Sequence, residues 1–136
     1  MGYKQALLVD DDPVFRALAE DMVLDAGVAA IETADDGLSA IAKLKAGLNP
    51  DLLICDLNMP THDGVSLIRA LAERRFPGKV LIISGEDSAV IETVAKLARM
   101  QSLDIIGSIR KPLTMEALNA VLARGVSAQP RPQPKV

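Results

Sequence analysis

Five strand-like segments alternate with five helix-like segments along this chain of 136 residues, and no other feature restricts its fold as strongly. The strand-like segments are short apolar runs, and the segments between them repeat apolar residues at helical spacing. Alternation of this kind is typical of a parallel sheet with helices on both faces. The chain is therefore predicted to form one α/β domain, and its length agrees with a single core.

The strand order follows from the way parallel strands connect. Because crossovers between parallel strands are almost always right-handed, few topologies remain, and we predict a flavodoxin-like, doubly wound five-stranded sheet in the order 2-1-3-4-5. Asp12 and Pro13 indicate the N-cap and first residue of the first helix, and Thr114 indicates the N-cap of the last. Strands are predicted near residues 6–9, 28–33, 52–55, 80–83 and 105–110, and helices near 13–26, 37–46, 64–75, 88–101 and 114–124. On the first helix, apolar residues recur at helical spacing, at Phe15, Leu18, Ala19, Met22 and Val23.

The composition disfavours several classes of function. Aromatic residues make up 2% of the chain and Trp is absent, so stacking on nucleic-acid bases is not expected. The formal charge of −3 disfavours non-specific binding to nucleic acid or to an anionic membrane. A single cysteine, Cys55, excludes an internal disulfide and fits a reducing compartment. With no membrane-spanning stretch and no signal-peptide pattern, we expect a cytoplasmic protein.

Four of the predicted strands end on polar residues that suit metal or phosphate chemistry. The first runs into Asp10 and Asp11, the third into Asp56, the fourth into Ser84 and the fifth into Lys111. In an open parallel sheet the carboxyl ends of the strands share one edge, and ligands bind in the crevice there. Each residue alone has an ordinary explanation, such as a helix cap or a loop charge. Together at one edge they predict a single site.

These residue types suit the transfer of a phosphoryl group. A carboxylate such as that of Asp56 can attack phosphorus and form an acyl phosphate. Two anions must then approach each other, so the site needs positive charge. The oxygens of Asp10 and Asp11 suit Mg²⁺, and Lys111 brings a mobile ammonium. With the Ser84 hydroxyl as a further donor, the site is predicted to act by positioning and charge neutralisation.

The chain resembles the receiver domain of two-component response regulators over residues 4–124. The motifs that carry the resemblance are Val9-Asp10-Asp11-Asp12-Pro13, Asp56-Leu57-Asn58-Met59-Pro60 followed by Asp63-Gly64, Ser84-Gly85 and Lys111-Pro112. The resemblance implies that Asp56 is the phosphoacceptor, Ser84 the switch hydroxyl and Lys111 the phosphate contact. It assigns Mg²⁺ (or Mn²⁺) to an acidic pocket of Asp10, Asp11 and Asp56 together with the backbone carbonyl of Asn58.

The same resemblance implies the partners and the output. A sensor histidine kinase or a phosphotransfer protein would supply the phosphoryl group, and phosphorylation would switch a surface formed by the fourth helix, fifth strand and fifth helix. The module would be a signalling domain rather than an enzyme, either a monomer or a phosphorylation-dependent homodimer, with no direct contact to nucleic acid or membrane. The peptide bond before Pro112 is expected to be cis, and Asn58 and Glu86 occupy positions that tune phosphorylation and hydrolysis rates.

Two features depart from the usual pattern of that family. Ser108 stands three residues before Lys111, where an aromatic residue or Thr commonly acts as a rotamer switch, so aromatic gating is not expected. The interval from Ser84 to Lys111 is about five residues longer than usual, which should lengthen the fourth helix or its exit loop across residues 99–103. That spacing is similar to receivers fused to cyclic-di-GMP phosphodiesterase domains.

The composition changes at residue 125, and the predicted organisation is a receiver domain at 1–124 and a Pro-rich linker or disordered tail at 125–136. The tail is either a frayed terminus or a tether to a C-terminal output domain. Two other functions stay open. A haloacid-dehalogenase-like phosphatase uses similar groups, but Asn58 stands where its acid/base Asp would be needed. The second open function is a receiver that signals without phosphorylation and acts as an interaction module.

Overall fold

A computed structural model describes residues 2–59, 63–85 and 88–127 of the protein. The strands are β1 (Ala6–Val9), β2 (Ile31–Ala34), β3 (Leu52–Asp56), β4 (Lys79–Ser84) and β5 (Asp104–Arg110). The helices are α1 (Pro13–Asp25), α2 (Gly37–Lys45), α3 (Asp63–Glu73), α4 (Ser88–Met100) and α5 (Met115–Ser127). All strand pairs are parallel, and the sheet order is β2-β1-β3-β4-β5. The predicted fold class and strand order are confirmed.

Alternate residues of the central strands enter two separate apolar layers, because successive side chains of a strand point to opposite faces. One layer joins Leu7, Val9, Leu53, Cys55, Val80 and Ile82 to helices α2, α3 and α4. The other joins Ala6, Leu8, Leu52, Ile54, Leu81 and Ile83 to helices α1 and α5. The alternation, continued to the ends of β1 and β3, brings Asp10 and Asp56 to the side of the sheet on which α1 packs.

Four helices end in the same way, with a left-handed residue followed by an apolar one. At the end of α1, the N–H of Gly27 (φ 104°) donates to Leu24 and the N–H of Val28 to Val23, the bond pattern of a Schellman motif. Gly47, Arg75 and Ser102 take the left-handed position after α2, α3 and α4. Because residues 27 and 28 serve the helix end, β2 begins at Ile31, and the prediction that it starts near residue 28 is wrong.

Other details refine the sequence-based boundaries. Asp12 and Thr114 accept hydrogen bonds from the first turns of α1 and α5, as predicted for N-caps. Leu18 is 57% exposed on α1, so the apolar spacing overstated the buried face of this helix. Helix α5 extends to Ser127, beyond the predicted end near residue 124, while the tail at 128–136 lies outside the described residues. In the parts of the chain that the structure describes, no helix is long and apolar enough to cross a bilayer.

Candidate functional site

The sheet brings the four polar strand ends together at one edge. Asp10 follows β1 and Asp56 ends β3, and these strands are hydrogen-bonded neighbours. Ser84 ends the next strand, β4, and Lys111 follows β5. The backbone N–H of Lys111 donates to the carbonyl of Ser84 at 2.9 Å, which continues the pairing of β4 and β5 beyond their last residues. The convergence expected from the sequence is therefore present in the structure.

Three carboxylates form an acidic pocket at this edge. One oxygen from each of Asp10, Asp11 and Asp56 lies within 4.8 Å of the others. Asp10 and Asp56 are buried, whereas Asp11 is exposed to solvent. Hard oxygens clustered in this way, with one side open to water, suit Mg²⁺, which usually keeps several water ligands. The residues present thus fit a divalent cation.

The surroundings of Asp10 disfavour the charged form of its carboxylate. Its Oδ1 accepts the N–H of Asp12 at 2.9 Å, but its buried Oδ2 has no hydrogen-bond partner among the described residues. Burial raises the pKa of Asp10 from 3.8 to about 6; the Asp12 N–H opposes this shift, and the charge of Asp56 adds to it. A buried acceptor without a partner is costly unless a cation or a donor arrives. The Oδ2 atom of Asp10 is therefore the observation that favours a metal ligand at this position.

Lys111 lies between the two buried carboxylates. Its Nζ is 3.2 Å from Oδ2 of Asp56 and 3.8 Å from Oδ2 of Asp10. Its side chain keeps about a quarter of its surface exposed, at 26%. The peptide bond between Lys111 and Pro112 is cis, as expected. The ammonium can therefore bind a carboxylate now and an incoming anion at the open side of the pocket.

The two oxygens of Asp56 have different partners. Oδ1 accepts the backbone N–H of Asn58 at 2.9 Å, while Oδ2 accepts from Lys111. Asp56 itself is only 2% exposed. Together the two contacts fix the orientation of the Asp56 carboxylate beside the Lys111 ammonium.

The side chain of Asn58 contributes a contact that the sequence did not indicate. Its Oδ1 accepts the Ser84 hydroxyl at 2.7 Å and also the backbone N–H of Gly85. Sequence reasoning assigned Asn58 a backbone carbonyl ligand and a rate-tuning position, and both assignments stay predictions. Glu86, the other predicted tuning position, lies outside the described residues.

Gly64 allows α3 to pack against the end of β3. A Cβ at this position would lie 2.6 Å from the carbonyl oxygen of Asp56 and 2.7 Å from Cα of Leu57. Both are backbone atoms, so a side chain at residue 64 would have to move either α3 or the segment that carries Asp56.

Ser108 is exposed on β5, at the position where the resemblance implies an aromatic residue or Thr. A cavity of about 390 Å³ adjoins it on the face of α4, β5 and α5. Its lining includes Arg99, Ile106, Gly107, Ser108 and Arg124. Between Ser84 and Lys111 the described residues form α4, its exit turn at Ser102 and strand β5, which pairs with β4 through a register shift.

Comparison with known proteins agrees with this geometry. The sequence model described as "Response regulator receiver domain" matches residues 6–123. The chain belongs to this family. A response regulator from Colwellia psychrerythraea has a similar structure, with a TM-score of 0.74 and 32% identity over 88% of this chain and 94% of that one. This receiver domain is thus part of a two-component system, whose receivers generally act through phosphorylation of an Asp.

Two curated relatives are much longer than this receiver domain. The "Regulator of RpoS" of Escherichia coli K12 is 34% identical over 103 residues, which is 76% of this chain and 29% of the relative. The "Cyclic di-GMP phosphodiesterase RocR" of Pseudomonas aeruginosa is 27% identical over 124 residues, which is 91% of this chain and 32% of the relative. The chain therefore spans less than a third of the length of either relative.

Proposed function

We propose that Asp56 is the phosphoacceptor of this receiver domain and that Lys111, Ser84 and a Mg²⁺ ion assist the transfer. One observation carries the proposal: a buried Asp56 carboxylate lies 3.2 Å from the Lys111 ammonium, with the oxygens of Asp10 and Asp11 within 4.8 Å. No other group at this edge combines a nucleophilic oxygen with an adjacent cation and an acidic pocket among the residues described.

The donor would be the phosphohistidine of a sensor kinase or a phosphotransfer protein. An oxygen of Asp56 attacks phosphorus, the new P–O bond forms, and the P–N bond breaks with its electron pair passing to the imidazole nitrogen. With the second ring nitrogen of the phosphohistidine protonated, the products are an acyl phosphate on Asp56 and a neutral histidine. Lys111 can follow the charge from the carboxylate to a phosphoryl oxygen, since its Nζ already lies beside Asp56.

The metal would be held by Asp10, Asp11 and Asp56, with the Asn58 backbone carbonyl as the further ligand. When bound, Mg²⁺ neutralises charge on the carboxylates and on the phosphoryl oxygens. The acidic pocket supports this assignment because Oδ2 of Asp10 is buried and lacks a hydrogen-bond partner among the described atoms. Asp10 must lose its proton to serve as a ligand.

Phosphorylation would change the surface formed by α4, β5 and α5. The link is short: Ser84 ends β4, and its carbonyl accepts the N–H of Lys111 at the end of β5. A new dianion on Asp56 would draw the Ser84 hydroxyl and the Lys111 ammonium toward it. The exposed Ser108 and its neighbouring cavity lie on this face, so the output is expected to act without an aromatic gate.

This surface would regulate an output domain, such as a phosphodiesterase domain of the type that RocR's name states. An interaction protein or a second copy of the chain is another partner that it would bind. The matched relatives extend well beyond the receiver, which supports a role within a longer protein.

Labelling with acetyl phosphate tests the assignment of Asp56. The purified chain is incubated with acetyl phosphate and Mg²⁺, and covalent phosphate is measured by intact-protein mass spectrometry. We expect labelling of the wild type and of Asp25→Asn, an exposed change at the far end of α1, but none of Asp56→Asn. Equal labelling of Asp56→Asn would refute the phosphoacceptor. A wild type that takes no label would favour the phosphorylation-independent module, and turnover of phosphomonoesters would favour the phosphatase.

A further inference from the structure

The ring of Phe15 is a third partner of the Lys111 ammonium. The Nζ of Lys111 lies 4.2 Å from the ring centroid, well inside the range of a cation–π interaction. The same atom is 3.2 Å from Asp56 and 3.8 Å from Asp10. The ammonium is therefore held by two carboxylates and one aromatic face. That face belongs to Phe15, which the sequence pattern indicated only as an apolar position of the first helix.

The position of Phe15 is set by the local fold of α1. Asp12 caps the helix and accepts the N–H groups of Val14 and Phe15, and Pro13 fixes the first helical residue. The ring packs against the apolar layer beneath α1 and α5. It is thus anchored on one side by core packing and presents its surface to Lys111 on the other. The other aromatic residues of the chain, Tyr3 and Phe76, are buried in the core.

An aromatic face suits a lysine that has to move. A carboxylate or an amide would engage one of the three N–H donors in a fixed direction, whereas a ring attracts the charge without a directional hydrogen bond. The ammonium can then shift its hydrogen bonds from Asp56 to a phosphoryl oxygen while its position stays restricted. Without the ring, a side chain with four rotatable bonds and 26% exposure would spend more time in solvent.

We propose that Phe15 is a positioning residue for Lys111: its ring confines the ammonium to the space beside Asp10 and Asp56 and so sets the rate of phosphoryl transfer. This inference rests on the proposed function of Asp56 for its kinetic part. Its structural part, the confinement of the Lys111 side chain, holds in the unphosphorylated protein and can be measured there.

Two variants separate the effect of the aromatic face from that of apolar packing. Phe15→Leu keeps an apolar side chain and removes the aromatic face, whereas Phe15→Tyr keeps the face. Leu18→Ala, an exposed change on the same helix, is the matched control. If Phe15→Leu does not fold, Phe15→Met takes its place, since Met is flexible and fills irregular gaps.

The first measurement uses the protein without phosphate donor. The NMR order parameter of the Lys111 side chain is expected to fall in Phe15→Leu and to stay at the wild-type value in Phe15→Tyr and Leu18→Ala. An unchanged order parameter in Phe15→Leu would overturn the proposal whatever Asp56 does. This readout therefore separates failure of the positioning role from failure of the phosphoacceptor.

The second measurement is the rate of labelling by acetyl phosphate at varied Mg²⁺. In Phe15→Leu the maximal rate should fall about tenfold, a size expected of a partly desolvated cation–π contact. The Mg²⁺ concentration for half-maximal rate should fall, because an ammonium that leaves Asp10 and Asp56 no longer opposes a second cation there. Phe15→Tyr should keep the wild-type maximal rate. The kinetic role would be overturned if Phe15→Leu lowered the order parameter but not the maximal rate, or if Phe15→Tyr lost as much rate as Phe15→Leu.

Discussion

The side-chain amide oxygen of Asn58 accepts the Ser84 hydroxyl at 2.7 Å. A serine hydroxyl has one hydrogen to donate, so Ser84 cannot donate to Asn58 and to a phosphoryl oxygen at the same time. Asn58 therefore competes with the phosphoryl group proposed to form on Asp56, two residues before it. The sequence did not predict this competition, because it indicated only a rate-tuning position and a backbone carbonyl ligand for Asn58.

Removing the Asn58 amide should favour the phosphorylated state. Asn58→Ala is expected to raise the affinity for beryllofluoride with Mg²⁺, a stand-in for the phosphoryl group, by about fivefold, since a lost hydrogen bond of this kind corresponds to about 1 kcal/mol. Isothermal titration calorimetry measures the change.

The control for this prediction is a double-mutant cycle. In a Ser84→Ala background, Asn58→Ala should bring little gain, because the hydroxyl for which the two acceptors compete is absent. An equal gain in both backgrounds would contradict the competition and point to an effect of Asn58 elsewhere in the loop.

Lys111→Met should strengthen Mg²⁺ binding while it weakens phosphoryl transfer. The Lys111 ammonium already lies 3.2 Å and 3.8 Å from two of the carboxylates that would hold the metal, so it opposes a second cation there. Methionine has a similar length and no charge. We expect Mg²⁺ affinity to rise several-fold and labelling by acetyl phosphate to fall by at least tenfold. A parallel loss of both would indicate a structural collapse of the pocket, which circular dichroism and the unfolding midpoint of the variant would report.

Asp10 should make stability depend on pH in the metal-free protein. Its pKa is about 6 in the folded protein, whereas the unfolded chain loses this proton near its ordinary value. Between about pH 4 and pH 6 the folded state thus binds more protons, and the free energy of unfolding falls as the pH rises. Asp10→Asn removes this effect, and at pH 7 it should be more stable than the wild type by about 3 kcal/mol, from the size of the shift.

The check is urea unfolding of both proteins in EDTA from about pH 3 to about pH 7. The difference in the free energy of unfolding should shrink as the pH falls and disappear at about pH 3, where Asp10 is protonated in both states. Addition of Mg²⁺ at pH 7 should stabilise the wild type and leave Asp10→Asn little changed. A difference that is constant with pH would contradict the assigned cause.

Strand ends were predictable from the sequence because backbone topology alone brings them together. Asp10, Asp56, Ser84 and Lys111 follow apolar runs, and any parallel sheet in this order places such residues at one edge. What the spacing could not give was the choice of side-chain partners. Whether Asn58 turns toward Ser84, or Phe15 toward Lys111, depends on rotamers that periodicity does not encode.

The same limit explains the errors at element boundaries. Glycine follows both α1 and α2, but the Schellman bond after α1 also uses Val28, whose residue type alone is typical of a strand. After α3 and α4 the left-handed residues are Arg75 and Ser102, which carry no such signal in the sequence. Leu18 lies at helical spacing with the buried residues of α1 but is itself 57% exposed. Apolar spacing thus includes residues that the packing of the helix on the sheet does not bury.

Ser102→Gly should stabilise the protein. Ser102 has a φ of 71°, where its Cβ is strained, and its N–H donates to Arg99 in the helix-ending motif. Glycine makes the same backbone bond without the strain, and we expect a gain of about 0.5–1 kcal/mol in the free energy of unfolding. Ser66→Gly is the matched control: Ser66 is exposed within α3, where glycine should cost about 1 kcal/mol. Destabilisation by both changes would contradict the strain at residue 102.

Gly64→Ala should damage both stability and the site. The new Cβ would lie 2.6 Å from the Asp56 carbonyl oxygen and 2.7 Å from Cα of Leu57, and backbone atoms cannot turn aside as a flexible side chain can. Either α3 or the end of β3 must shift, at a cost of about 2–3 kcal/mol. Because that segment carries the phosphoacceptor, labelling by acetyl phosphate should fall even where the protein remains folded.

Gly85→Ala separates this packing effect from a general sensitivity of glycines near the site. Its Cβ would meet the Asn58 side chain at 3.6 Å, an ordinary contact, so its unfolding free energy should stay within about 1 kcal/mol of the wild type. If urea titrations gave the two alanine variants the same stability, the close approach of α3 to Asp56 would not be what requires glycine at residue 64.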